Sequence, residues 1–365
     1  MDGFSSHVSL LADDLAADHD ARQLHARQLL GRQLQGRQPG AQRTLKAAIG
    51  CVGIGVHSGR RVHITLHPAP AGSGIAFRRS DLGITIPARF DHVVDTRLCT
   101  VLGLPDQPAI RIGTVEHVMA ALAGCGITNA LIEVDGPEAP ILDGSAANLV
   151  FLIDCAGIAD QDDAAPEIEV LRPVRVVEGE GFAELRPSQG QPGLHLALSI
   201  AFDAVAIGRQ ALSMQLSPAN FRGELAQARS FALAGDVARL QQAGLARGGS
   251  LDNAVVVDDA RVLNPGGLRM PDEFVRHKLL DVVGDLALAG APLRGRFVAH
   301  RSGHALNNRL LRQLFADAAN WRWLPGSRRP AAEPRLARPA DGGAGLRGQS
   351  NRQDQHLRVA AAPLT

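Results

Sequence analysis

The chain has 365 residues, a formal net charge of +1, 45% apolar residues and 21% charged residues. That balance is globular rather than disordered, and it provides no overall field to draw the molecule to nucleic acid or an anionic membrane surface. All but two of its 38 basic side chains are Arg, which makes the two exceptions, Lys46 and Lys278, worth following.

Four Cys occur without a single C-x-x-C pair, which argues against a zinc ribbon and against a disulfide framework. No apolar run reaches the ~18 residues of a membrane-spanning helix, and the N-terminus lacks a basic-then-apolar signal pattern. These features predict a reduced, soluble, cytoplasmic protein of about two domains.

Along the chain, residues 21–40 repeat a pentapeptide: ARQLH, ARQLL, GRQLQ, GRQPG. A period of five advances ~140° net per repeat on a helix, so Leu24, Leu29 and Leu34 scatter around the axis and build no apolar face. The segment suits an Arg-rich binding arm or a low-complexity extension. The second reading is preferred, with 1–43 expected to be disordered.

Val62, Ile64 and Leu66 alternate with His63, Thr65 and His67, which predicts a half-buried strand with both histidines on its polar side. A helix is expected over 114–123 with Thr114 as its N-cap, then a strand over 130–134. The acidic stretch 160–166 has no apolar period and reads as a linker. Beyond it, strands are expected at 181–185, 195–200, 253–257 and 296–300. Helices are expected at 224–231, 236–243, 272–289 and 306–321. Residues 325–365, rich in Pro, Arg, Gly and Ala, read as a disordered tail. Strands and helices mix without regular β-α-β alternation, so the fold class is α+β in two halves, 44–160 and 161–324.

The most informative segment is RHKLLDVVGDLALAG at 276–290. At ~100° per residue, Leu279, Val282, Val283 and Leu286 share one apolar arc, while His277, Lys278, Asp281, Gly284 and Asp285 gather on the other. Two aspartates at i,i+4 repel by a few tenths of a kcal/mol on a bare helix. A metal held by His277 and Asp281 would compensate, because the i,i+4 step puts both on one face at ligand spacing. A solvated helix face with a His–Asp pair fits the same spacing.

Three further segments are candidates. Glu116-His117 resembles the base-plus-ligand adjacency of zinc hydrolases, with His117 completing a His₂Asp set that leaves one position for water. An ordinary Glu–His neighbour pair is the alternative. His304 follows a predicted strand end and Gly303, where catalytic side chains are often presented; a turn histidine fits equally well. Ser230-Phe231 offers a hydroxyl to polarise a carbonyl and a ring to pack on a sugar, though most Ser-Phe pairs do neither. His7, His19, His25 and His356 lie in the terminal extensions.

Taken together, the segments resemble the UDP-3-O-acyl-N-acetylglucosamine deacetylases of lipid A synthesis. The matching stretches, in family order, are GIGVHSG at 53–59, DTRLCT at 95–100, TVEH at 114–117, PILDGS at 140–145, RSF at 229–231, GGS at 248–250, VVVDD at 255–259, EFVRHKLLD at 273–281 with Gly284 and Asp285, and SGHALNN at 302–308. The resemblance covers about 44–324 and neither terminal extension.

It implies two similar β-α-α-β layered domains with the active site between them, and a cytoplasmic, monomeric amidohydrolase acting on a UDP-linked acylated amino sugar. It further implies that His117, His277 and Asp281 bind zinc. Glu116 would be general base, His304 general acid and Asp285 its orienting partner. Ser230 would assist the oxyanion, Phe231 would contact the glucosamine and Lys278 an anionic part of the substrate. Ser230 stands where the family usually has Thr: the hydroxyl survives, and the methyl that stiffens χ1 is lost. An acyl channel is expected around 233–247.

The implied chemistry is coherent on physical grounds. Zinc lowers the pKa of bound water to ~7 and polarises an amide carbonyl. An amine leaves poorly unless protonated, which suits a charged His304 favoured by Asp285. A His₂-carboxylate set also suits Fe²⁺, which stays open as the native metal.

Overall fold

The computed structural model describes residues 40–324. Nearly all of the Arg-rich repeats, the four terminal histidines and the 325–365 segment lie outside the described residues. The fold is α+β, with helices set against antiparallel-dominated sheets.

In the first half of the chain, a five-stranded sheet runs in the spatial order Ile49–Ile54, Arg61–Pro68, Ala130–Val134, Ile75–Arg79, Ile84–Pro87. Its pattern follows the alternation in the sequence. Val62, Ile64 and Leu66 are buried, whereas His63 and His67 point outward to Asp135 (2.7 Å) and Glu133 (2.9 Å). Strands Val93–Asp95, Val101–Leu104 and Gln107–Ile112 form a smaller sheet that feeds helix α1, Glu116–Cys125. Helix α1 ends at Gly126, whose φ of 76° supplies the left-handed stop that favours glycine. Helix α2 follows at Ala147–Ala156.

In the second half, a seven-stranded sheet centres on Leu293–His300, which pairs antiparallel with Gly181–Arg186 and parallel with Leu194–Ala201. A three-stranded sheet holds Phe231–Leu233, Val255–Asp258 and Arg261–Val262. The helices here are α3 (Ala234–Gln242), α4 (Glu273–Ala287) and α5 (His304–Phe315). Phe274, Leu279, Leu280 and Phe297 are among the fully buried side chains.

Helix α4 packs against α1, and the contact is close. A Cβ added at Gly284 would stand 2.0 Å from Glu116 O, so only glycine lets the two backbones approach in this way. The last turn of α1 is built similarly, with the Phe221 ring filling the space where Gly124 lacks a side chain.

Several expected elements differ. Residues 160–166 are not a free linker: Ile158–Ala164 is a strand. Gln42 Nε2 donates to Ala164 O (3.1 Å), Arg43 to Asp160 (2.9 Å), and Gln161 turns inward to Asn129 and Ala69. The acidic residues disfavour strand by composition, and partners distant in sequence override that preference.

The helix expected at 224–231 is replaced by a short π-helical turn, Phe221–Leu225, a turn at 226–227, and irregular chain leading into strand Phe231–Leu233. A helix is broken there because Ala228 O and the Arg229 amide are committed to bonds with α4. The helix expected from 306 starts at His304 and stops at Phe315, and Trp321–Trp323 forms a strand. Thr114 does not cap α1. Val115 occupies that position without a side-chain cap, while Thr114 has φ 56° and gives its hydroxyl to buried Glu138 (3.3 Å).

Candidate active site

The polar arc of α4 is not solvated. His277, Asp281 and Asp285 face α1, and with Glu116 and His117 they are each 5% exposed or less. Burial of five ionisable groups in one place is costly unless they are mutually compensated or hold an ion.

The ligand-type atoms of His117, His277 and Asp281 lie within 4.8 Å of one another. His117 Nε2 is 3.7 Å and His277 Nε2 3.4 Å from Asp281 Oδ1. The two imidazoles stand edge to face at 88°. His277 Nδ1 donates to Ala228 O (3.1 Å), which fixes the tautomer that leaves Nε2 with its lone pair facing the group.

The protonation states fit a cation. Burial lowers His117 to about 3, with His277 reinforcing and Asp281 opposing, so its imidazole is neutral. Burial lowers His277 as well. Asp281 is held well below the usual carboxylate range: burial alone would raise it, but His277, Lys278, His304 and His117 outweigh that. Two neutral imidazoles and one carboxylate with ligand atoms within 4.8 Å of one another form a donor set that a divalent metal fits.

Two proton-transfer groups flank this set. Glu116 opens α1. Burial pushes its carboxyl up to about 7, with His304 pulling the other way and Asp281 and Asp285 adding to the rise. His304 opens α5. Burial alone would lower it, but Asp285 through its charge and hydrogen bond, followed by Glu116 and Asp281, raises it to about 9. His304 Nδ1 donates to Asp285 Oδ2 (2.8 Å), and its Nε2 lies 3.9 Å from Glu116 Oε1. The site therefore pairs a carboxyl and an imidazole that can exchange acid and base roles near neutral pH.

The remaining expected residues are placed as follows. Ser230 Oγ is 3.2 Å from His277 Nε2 and 3.5 Å from His117 Nε2, brought there by a backbone bond from Ser230 N–H to Gly144 O. Phe231 lies against His277, Phe202 and Phe274, with ring centroids 6.3, 5.5 and 5.0 Å apart. Lys278 Nζ donates to Asp281 Oδ2 (3.3 Å), so one of the two lysines in the chain neutralises the outer oxygen of a candidate ligand.

The residues that hold these groups lie within the matching stretches, but sequence reasoning assigns them no role. Arg229 forms a buried fork onto Glu273 (2.7 and 3.0 Å), while its own amide also donates to that carboxylate. This bond network locks the segment carrying Ser230 onto α4. Asn307 Nδ2 donates to Asp285 Oδ2 (2.8 Å), and its i+3 spacing from His304 was a readable signal. Thr100 touches both Glu116 and Asp285. Cys99, next to it, is no nucleophile: burial and the Glu116 charge push its thiol well above the ordinary value.

A buried His₂Asp set flanked by a carboxyl and a further imidazole has the donor and proton-transfer groups that a metallohydrolase site requires. The LpxC family profile, UDP-3-O-acyl N-acetylglycosamine deacetylase, matches residues 42–316. Proteins named UDP-3-O-acyl-N-acetylglucosamine deacetylase are similar over most of the chain. That of Myxococcus xanthus is 46% identical over 290 residues, spanning 79% of this chain and 90% of its own length. That of Acidithiobacillus ferrooxidans is 48% identical over 294 residues, spanning 80% and 95%. One from an Anaeromyxobacter species is 49% identical over 276 residues, spanning 76% and 89%. The chain belongs to the UDP-3-O-acyl N-acetylglycosamine deacetylase family.

Proposed function

We propose that the chain removes the acetyl group from the 2-amine of UDP-3-O-(3-hydroxyacyl)-N-acetylglucosamine, releasing acetate and the free amine, the committed step of lipid A biosynthesis. The observation that carries this reading is the pairing of Glu116 with His304 beside the His117–His277–Asp281 group, in a chain of this family.

Zinc, with Fe²⁺ as the alternative on the same donors, would polarise the amide carbonyl and acidify a water when bound by His117, His277 and Asp281. Glu116 Oε1 would accept a proton from the attacking water as the water oxygen bonds to the amide carbon. His304 Nε2 gives a proton to the departing nitrogen, so the C–N bond breaks to a neutral amine rather than an amide anion. Asp285 holds His304 in its charged form and aims the ring. The Ser230 hydroxyl donates to the carbonyl oxygen as it gains charge. Phe231 packs on the glucosamine ring, and Lys278 meets an anionic part of the substrate.

Glu116 and His117 precede residue 160, whereas His277, Asp281, Asp285 and His304 follow it. This supports two layered halves, 44–160 and 161–324, sharing one site. We read the enzyme as a cytoplasmic monomer, in keeping with a UDP-linked substrate; among the described residues no helix is long and apolar enough to cross a membrane.

Acetate release from the UDP-linked acylated sugar, with free N-acetylglucosamine as counter-substrate, tests the reading. Turnover of the nucleotide-linked compound is expected. Turnover of free N-acetylglucosamine alone would overturn the assignment.

A further inference from the structure

Thr100 is 1% exposed and stands just ahead of strand Val101–Leu104. Its amide N–H donates to Glu116 Oε2 (3.0 Å), and its hydroxyl donates to Asp285 Oδ1 (2.6 Å). Its carbonyl accepts the N–H of Val115, the residue before Glu116 (3.3 Å). One residue thus grips the base, the turn that presents the base, and the carboxylate that orients the acid.

These bonds hold one oxygen of Glu116 and both oxygens of Asp285. Glu116 Oε2 is occupied by Thr100, which leaves Oε1 turned toward His304 Nε2 at 3.9 Å. Asp285 Oδ2 receives His304 Nδ1 and Asn307 Nδ2, both at 2.8 Å, while Oδ1 receives Thr100. Removal of the hydroxyl would leave a buried carboxylate oxygen without its donor, an unfavourable state for a charged group. The carboxylate would rotate to recover a bond, and the His304 ring would follow it. A displacement of ~1 Å at a reacting group can cost about 10²-fold in rate.

We propose that Thr100 is a positioning residue that fixes the separation of Glu116 and His304, through its amide on one and its hydroxyl, by way of Asp285, on the other. It meets Glu116 through Oε2 rather than the proton-accepting Oε1, and its hydroxyl bonds Asp285 rather than a candidate metal ligand. This role rests on the deacetylase reading above.

The test uses the metal-loaded full chain and the UDP-linked acylated substrate. Thr100→Val keeps the amide and the shape and removes the hydroxyl; Thr100→Ser keeps the hydroxyl. The valine variant is expected to lose ~10–100-fold in kcat, the range for groups that orient a metal site, with KM within about twofold and metal content unchanged. Serine should recover most of the loss.

Because the hydroxyl acts through one carboxylate, adding Thr100→Val to Asp285→Asn should cost less than about twofold further. Wild-type kcat in the valine variant would overturn the role, as would serine being as impaired as valine, or losses that multiply in the double variant. If the valine chain does not fold, Thr100→Ala against Thr100→Ser is read in the same way. Lack of turnover by the wild type would sink the deacetylase reading itself, whereas wild-type turnover with an unimpaired valine variant sinks only the role of Thr100.

Discussion

A methyl group on Gly284 would stand 2.0 Å from the carbonyl oxygen of Glu116. That distance explains how α4 can bring Asp281 and Asp285 against the first turn of α1. Gly→Ala inside a helix normally gains up to ~1 kcal/mol in propensity. Here the obstacle is backbone, which cannot rotate aside, and overpacking of this kind costs about 1–3 kcal/mol. Gly284→Ala is therefore expected to lower the urea midpoint and the metal content together. A variant with unchanged midpoint and full metal content would show that the helices separate freely.

The acid–base pair predicts a bell-shaped pH profile whose basic limb belongs to His304. Its folded-state value of about 9 lies above the ordinary ~6.5. Loss of its proton removes the acid, so activity falls as pH rises through that limb. Asp285→Asn removes the main charge that raises His304, and the limb should move to lower pH along with a drop in kcat. The same shift stabilises the fold fully below pH ~6.5, and that contribution fades as pH rises toward about 9. An unmoved basic limb in Asp285→Asn would remove His304 from the acid role.

Lys278 is one of two lysines in a chain that otherwise uses Arg. It bonds the outer oxygen of Asp281 at 3.3 Å while staying partly exposed. In the proposed role a compact ammonium would meet an anionic part of the substrate while bonding that carboxylate, whereas a planar guanidinium has different reach and hydration. Lys278→Arg is expected to lower kcat/KM by ~10-fold or more, as neighbours of metal ligands do, with the melting temperature unchanged. Wild-type kinetics would reduce this lysine to coincidence.

Ser230 presents its hydroxyl between the two imidazoles. Ser230→Ala should lower kcat by ~10²-fold if the hydroxyl donates to the developing oxyanion, and Ser230→Thr should retain activity. Equal activity of alanine and serine would assign the oxyanion role elsewhere.

How much of the site was readable depended on chain separation. His277, Asp281 and Asp285 share one helix, so their spacing alone put them on one arc. Asn307 lies one turn from His304 and obeyed the same logic. What the pattern left open was whether the α4 arc met water or protein, because the answer lies on α1, and only Gly284 hinted at close approach. Thr100 bonds a carboxylate 185 residues away, and no local period marks it. The strand at Ile158–Ala164 and the irregular chain at 228–230 depart from local expectation for a related reason: distant partners set their conformation.

The central claim is metal-dependent deacetylation at His117, His277 and Asp281. It is tested most directly by measuring bound metal and acetate release on the same samples: native, chelated, zinc-restored and His277→Ala. Chelation should abolish turnover of the UDP-linked substrate, zinc should restore it, and His277→Ala should lower both metal stoichiometry and rate. Full turnover by the metal-free chain would contradict the account.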